Sequence, residues 1–239
     1  MSTLLLRLAA PLQSWGTDSR YEDQRRTDLI PSKSGVIGMI AAALGRERNA
    51  DISDLSSLRF GVRIDKRGEI LSDFHTAHNA KHAFVTHRQY LSDAAFLAGV
   101  ESDDKTFLQS LDYALCHPVF SLYLGRRSCP PTPPVSLGLR ELSLEEALKQ
   151  EPWIMEGHYM RKAYNSHEDD KVHIFIDGES GVNTSDSKLV EDVPISYDPR
   201  NRRYGWRSVK DCGYHKIIRT DGQAAEYETD HDPFSELED

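Results

Sequence analysis

Two adjacent arginines, Arg126 and Arg127, follow Gly125 and precede four prolines within five residues, in the run Tyr-Leu-Gly-Arg-Arg-Ser-Cys-Pro-Pro-Thr-Pro-Pro at 123–134. Arginine carries a planar fork of donors that matches phosphate oxygens and stays charged at any working pH. Gly125 suits a sharp exit from a strand, and the prolines fix φ along an extended path with little entropy left to lose. The arginine pair therefore sits on a stiff, exposed segment. Tyr123, just before it, offers a face on which a base can stack. The combination points to phosphate or RNA contact; the plainer reading is a proline-rich surface loop with two solvated arginines.

Other residues suggest chemistry less specifically. His75, His78, His82 and His87, with Lys81 and Arg88, crowd a polar stretch. A metal site would pair His78 with His82 across one helical turn, but no neighbouring cysteine completes a ligand set. General acid–base work on RNA with a histidine near neutral pKa is a second reading, and a solvated hairpin is the third. Ser32, Lys33 and Ser34 open an apolar helix, where free backbone donors and a lysine can hold a phosphate or where a serine merely caps. Trp15-Gly16 is either a stacking platform or a core aromatic at a bend, and spacing does not choose. Arg200, Arg202, Arg203 and Arg207, with Tyr204 and Trp206 among them, form a second basic-aromatic cluster. Walker-type glycines, a paired-carboxylate metal motif and a nucleophile elbow are absent from the sequence.

These residues need elements to position them. Residues 3–9 read as a buried strand, followed by a loop with Arg20, Arg25 and Arg26. Residues 31–47 read as a helix capped by Ser32 or Ser34 and ended by Gly45. Residues 59–65 and 70–76 flank a turn at 66–69, and strand character returns over 88–100 with a break near Asp93. Asp103 to Cys116 reads as a helix with Phe107, Leu108, Leu111 and Leu115 on one face. Val119 to Leu124 reads as a strand entering the arginine–proline run. Further on, Ser143 and Glu146 form a capping box, Val172 to Ile176 a strand, and Gly178 to Ser187 a loop. The order strand, helix, strands, helix, strand matches the split β-α-β arrangement of ferredoxin-like α+β domains, with hairpin material inserted before the second helix. That fold also serves RNA-recognition domains.

The 239 residues carry a net charge of −9, which at first argues against nucleic acid. The charge is unevenly placed. Residues 1–163 hold 20 basic and 20 acidic side chains, and 164–239 hold 9 and 18. The last 14 residues hold seven acids and neither Lys nor Arg. A neutral body can still carry a locally basic groove, and a phosphate responds to local potential. Three widely spaced cysteines fit reduced thiols in a cytosol rather than a disulfide framework. The apolar start, interrupted by Arg7, reads as a strand rather than a signal peptide, and no stretch has the length of a transmembrane helix.

Several segments together resemble one family: LRLAAPLQSWG (6–16), PSKSGVIGMIAAALGR (31–46), DFHT (73–76), RQYLSDAAF (88–96), YLGRRSCP (123–130) and DVPISYDPRNRRYGWRSV (192–209). In order and spacing they resemble the CasD family, the RNA-capping subunits of type I-E CRISPR Cascade complexes, over residues 3–209. The resemblance implies a modified ferredoxin-like (RRM-like) domain over 1–140 with a thumb hairpin near 76–88. A smaller C-terminal β-rich region over 141–220 would pack on it. The tail, 221–239, departs from the family pattern, as does Gly178 to Ser187, and its acidic composition reads as a solvated, disordered end. The resemblance also implies a cytoplasmic, non-catalytic subunit in antiviral defence that binds the 5′ handle of the crRNA. Its partners would be the backbone subunit CasC and the large subunit CasA, with target DNA met only through the complex, and neither metal, cofactor nor membrane. The expected RNA contacts are Trp15, Arg20, Arg26, Lys33, Ser34, His75, Arg88, Tyr123, Arg126, Arg127 and Ser128. The alternative is a metal-independent endoribonuclease that processes repeat RNA with the histidine-rich insert.

Overall fold

The structure, a computed structural model, describes residues 1–16, 24–78, 83–155, 171–178, 187–216 and 218. Its frame is a seven-stranded antiparallel sheet. One part of it is formed by β1 (Ser2–Ala9), β4 (Arg59–Lys66), β7 (Ala95–Ser102) and the edge strand β8 (Ser136–Arg140), in the order β4-β7-β1-β8. Alternation along β1 sends Leu4, Leu6 and Leu8 to one core and Leu5 and Ala9 to the other. Phe96, Ala98 and Val100 of β7 face the first core, and Ala95 and Leu97 the second. A period of two on a sheet covered on both faces produces this near-continuous apolar run.

Helices α1 (Lys33–Ala43) and α3 (Lys105–Cys116) cover the first face. The Ser32 side chain accepts from the Gly35 amide at 3.2 Å and starts α1. Asp104 accepts from the Phe107 amide at 2.9 Å and starts α3. In α3, Leu108, Leu111, Ala114 and Leu115 share the buried side, as the helical period requires. A four-residue turn of helix, α2 (Ser53–Ser56), lies between α1 and β4. On the opposite face sits α4 (Leu144–Gln150), with the capping box of Ser143 and Glu146 present. The buried Arg63 guanidinium donates to Asp65 and to the Leu148 and Pro152 carbonyls, closing the far end of α4.

Three later strands, β9 (Lys171–Asp177), β10 (Ser187–Ser196) and β11 (Arg203–Lys216), continue the same sheet beyond β4 in the order β10-β11-β9-β4. The C-terminal β-rich region thus joins by edge pairing across the expected boundary at 140, and α4 with Trp153, Ile154 and Met155 stacks on a face. A buried set of charges fixes its position. Lys33 Nζ lies 3.0 Å from Asp177, whose other oxygen accepts from Arg207 at 2.6 Å. Arg207 also makes a bidentate pair with Asp192, at 2.5 and 2.8 Å, and Asp192 accepts from the Lys33 amide at 2.8 Å. Burial acts to lower the Arg207 pKa, but the hydrogen bonds and charges of Asp192 and Asp177 outweigh it and the pKa is raised.

The inserted hairpin consists of β5 (Glu69–His78) and β6 (Ala83–Ser92), paired in register from Glu69↔Ser92 to His78↔Ala83. It starts earlier than the expected thumb at 76–88. Two short strands, β2 (Leu12–Gln13) and β3 (Gln24–Arg25), flank the base of β6. The expected break falls at Asp93, whose φ is 53°.

Val119 to Leu124 is not a strand. The Val119 and Phe120 amides donate to the Ala43 and Ala42 carbonyls at the end of α1, and Ser14 donates to the Leu124 carbonyl. The β-branched and aromatic residues there are spent on bridging two elements rather than on a ladder. At Gly125 φ is +84°, and a Cβ would lie 1.7 Å from the Ser14 carbonyl oxygen. The turn closes through Leu124 N–H to the Cys129 carbonyl and Cys129 N–H to the Arg126 carbonyl. The three cysteines are free thiols, and among the described residues no helix is long and apolar enough to cross a membrane. The expected loop at 179–186, residues 79–82 of the thumb and the tail 221–239 lie outside the described residues.

Two substitutions test this frame. Arg207→Ala strands two buried carboxylates and should cost roughly 3–5 kcal/mol in denaturant unfolding; a midpoint within error of the parent would contradict the role given to the charge set. Gly125→Ala meets both a left-handed φ and the Ser14 oxygen, and should cost at least about 2 kcal/mol, read as a lowered Tm.

Candidate nucleic-acid interface

Small residues on α1 make one wall of a groove of about 990 Å³: Ser34, Gly35, Gly38, Ala41 and Ala42 line it. The two glycines, one turn apart, admit neighbours that a side chain would exclude. A Cβ on Gly35 would lie 2.9 Å from the Trp15 ring, and one on Gly38 would lie 3.3 Å from the Tyr197 hydroxyl. The opposite wall is the turn at 120–130, with Phe120, Tyr123, Gly125, Arg126, Arg127 and Pro130. The segment after β10 closes one end with Tyr197, Arg202 and Tyr204.

Charge distinguishes this groove. Seven arginines line it, Arg25, Arg26, Arg46, Arg48, Arg126, Arg127 and Arg202, against one carboxylate, Glu47. Arg46 is the only one of them with a carboxylate partner among the described residues: it pairs with Asp54, which raises its pKa. Arg126 is held differently. Its guanidinium donates to the Gln89 carbonyl on β6 and the Arg25 carbonyl on β3, each at 3.0 Å, and lies 4.7 Å over the Tyr90 ring. Arg126 thus ties the turn to the base of the hairpin without losing its charge. Arg25, Arg26, Arg48, Arg127 and Arg202 have no carboxylate at ion-pair distance among the described residues. Tyr197 donates to the Ser34 carbonyl, and burial pushes its hydroxyl well above the ordinary tyrosine range.

Of the residues expected to meet RNA, Arg26, Ser34, Tyr123, Arg126 and Arg127 come together around this groove. Ser128 is exposed on the turn just outside the lining. Arg88 stands at the hairpin base opposite Asp73, outside the lining, and its Nε is buried with no hydrogen-bond partner among the described residues. His75 pairs through its backbone with Thr86, and its side chain lies outside the described residues, as does the whole of Arg20.

Two expectations need correction. Lys33 is 5% exposed, with its ammonium on Asp177 and its amide on Asp192, so neither its charge nor that helix-tip donor is open to a phosphate. Trp15 is 1% exposed, with its Nε1 donating to Gln13 at 2.8 Å, and belongs to the core beneath the groove rather than to a stacking surface. The groove also gains residues that the sequence did not assign to it. Arg202 and Tyr204 belong to the second basic-aromatic cluster. Arg46 and Tyr197 fall within the segments that carry the family resemblance, but neither they nor Arg48 and Phe120 were given a role; the glycine spacing on α1 was the one available sign of a close neighbour there.

A neighbouring cavity of about 1100 Å³ lies between residues 27–32 and strands β9 to β11. Its floor is apolar, with Phe60, Val62, Phe175 and Val209; of its charged groups, Arg207 pairs with Asp192 and Asp211 with His173, and Asp28 and Lys188 also line it, so carboxylates outnumber cations. Its chemistry favours burial of apolar groups over capture of phosphate.

Comparison with known proteins agrees with this architecture. The family described as CRISPR-associated protein (Cas_Cas5) matches residues 3–210. The CRISPR system Cascade subunit CasD of Escherichia coli (strain K12) is 35% identical over 165 residues, 59% of this chain and 73% of that protein. A chain solved as the crystal structure of a Cas protein is 39% identical with a TM-score of 0.70, covering 92% of this chain and 100% of its own. A chain of a CRISPR RNA-guided surveillance complex is 31% identical with a TM-score of 0.73, over 94% and 95%. The mixed α/β fold, built mainly on antiparallel sheet with few helices, is shared with both structures, and the chain belongs to the Cas5 family of CRISPR-associated proteins.

Proposed function

We propose that this chain is a non-catalytic subunit of a type I-E Cascade particle, acting in the cytoplasm, that grips the 5′ handle of the crRNA in the arginine groove. The observation that carries the reading is the lining of seven arginines against one carboxylate, with Tyr123 among them. A single-stranded end with splayed bases needs donors for its phosphates and faces for its bases, and this lining offers both. Arginine does not exchange protons near neutrality, so such a lining holds phosphate rather than moves protons. Two relatives support the setting: the E. coli protein is a Cascade subunit, and one structural match belongs to an RNA-guided surveillance complex. The β4-β7-β1-β8 order with α1 and α3 on one face supports a ferredoxin-like core, and the β5–β6 hairpin supports the thumb. Contacts with CasC and CasA, and with target DNA only through the particle, complete the proposal.

Binding of labelled repeat-derived RNA over a range of salt tests it. Arg127 and Arg202 lack carboxylate partners, so Arg127→Ala with Arg202→Ala should weaken binding at least tenfold. The slope of log K against log salt should fall by about 1.4, from roughly 0.7 per phosphate contact on a single strand. Unchanged affinity and slope would place the RNA elsewhere. Site-specific cutting of the same RNA in chelator would instead favour the endoribonuclease.

A further inference from the structure

Beside Tyr197 and Arg202 the arginine groove runs into a second concavity, of about 410 Å³. Glu47, Arg48, Asn49, Asp198, Pro199 and Arg200 line it, and Glu47 and Arg48 belong to both spaces. Two tight turns face each other across it. In the first, the Ala50 amide donates to the Glu47 carbonyl at 3.0 Å, which places Arg48 and Asn49 at the tip. Arg46 pins the ends of this turn, donating to the Asp51 carbonyl at 2.9 Å and pairing with Asp54. In the second, the Asn201 amide donates to the Asp198 carbonyl at 3.0 Å, and the Asp198 side chain accepts from the Arg200 amide at 2.8 Å. Pro199 and Arg200 form that tip, and Pro199 fixes φ there. Backbone hydrogen bonds close both turns, so the cleft is shaped before any ligand arrives.

Its charge differs from that of the groove it continues. Two guanidiniums, Arg48 and Arg200, face two carboxylates, Glu47 and Asp198. A balanced lining does not draw a phosphate, and its carboxylates repel one. It matches a neutral ring that carries donors and acceptors together. Asp198 is engaged by the Arg200 amide. The side chains of Glu47, Arg48, Asn49 and Arg200 make no hydrogen bond or ion pair among the described residues. A carboxylate, an amide and two guanidiniums therefore stand open around one space, and guanidinium planes also serve as faces for a base.

Glu47 is the one carboxylate in the groove lining. An acid in a site for a polyanion weakens the hold on phosphate, and what it contributes is selection. Guanine matches it: N1–H and the N2 amino group are adjacent donors for the two oxygens of one carboxylate, and O6 and N7 accept from a guanidinium. Adenine and cytosine set one amino group beside an acceptor nitrogen, and uracil sets one N–H between two acceptor oxygens, so each brings a lone pair against the acid. We infer that this cleft reads one guanine of a strand held in the arginine groove, with Glu47 accepting from its N1–H and N2 amino group and the cleft guanidiniums donating to O6 and N7. The inference rests on the RNA-binding reading of the groove. Phosphate contacts and stacking fix where a strand lies and carry no sequence, so Glu47 is the residue that gives this site a preference.

The test uses the full chain and labelled octauridylate in which a single guanosine replaces each uridine in turn. Guanosine at one position should tighten binding about tenfold over the all-uridine strand. Inosine at that position keeps O6 and N7 but lacks the N2 amino group, and should give back at least about threefold of the gain. Glu47→Gln should shrink both differences to less than about twofold. Glu47 is exposed and unpaired, so the variant should keep the Tm of the parent. A parent that binds guanosine-containing and all-uridine strands alike overturns the inference, and so does a guanosine preference that survives Glu47→Gln. In both cases, loss of all-uridine binding in the Arg127→Ala, Arg202→Ala variant leaves the groove reading standing. A parent that binds none of these strands removes the groove reading and the base-reading cleft with it.

Discussion

Four buried charges, Lys33, Asp177, Asp192 and Arg207, hold the two halves of this chain in one geometry. They sum to zero, so the interior carries no net charge from them, but each is costly to bury and worth keeping only when all partners are present. The set joins the first turn of α1 to β9, β10 and β11. Asp177 also accepts from the Phe60 amide of β4 at 3.0 Å, which brings the central sheet into the same arrangement. Removing any one member leaves a counter-charge stranded, so the position of the C-terminal strands is specified sharply rather than by apolar contact alone.

The groove depends on that specification. Tyr197, Arg202 and Tyr204 reach it only because β10 and β11 are fixed against α1, and Tyr197 docks where Gly38 leaves room. The other wall depends on Gly125 and on Arg126, whose two carbonyl partners lie on β3 and β6. A carbonyl takes hydrogen bonds from a guanidinium without cancelling its charge. Arg126 therefore positions the hairpin base and still adds to the potential along the groove. Lys33 and Arg207 are neutralised in the interior, whereas Arg127 and Arg202 line the groove with no carboxylate at ion-pair distance among the described residues, which explains how an acidic protein can present a basic site.

Much of the frame was legible from residue pattern. The caps at Ser32, Asp104 and Ser143, the alternation in β1 and the break at Asp93 are local signals, each decided by a few neighbouring residues. The failures share a cause. Lys33 looked available because a lysine at a helix start is a plausible phosphate ligand, yet its partner lies 144 residues away. Trp15 looked ambiguous because only Gly35, on another element, decides whether its ring is covered. Val119–Leu124 has strand-forming residues, and tertiary hydrogen bonds to the end of α1 override that preference. The arginine–proline run is exposed at Arg127 as expected, but Arg126 is half-buried, and the division of labour between the two depends on carbonyls that no motif announces.

The distance in sequence between the members of the charge set also has a meaning for synthesis. At roughly 5–20 residues per second, Lys33 leaves the ribosome roughly 7–30 s before Asp177 does. Through that interval α1 has a cation with no counter-ion and a sheet that ends at β4, so the nascent amino-terminal half cannot complete its interior. The architecture makes maturation wait for the last strands, and a ribosome that stalls short of them leaves an unfinished edge for chaperones to shield.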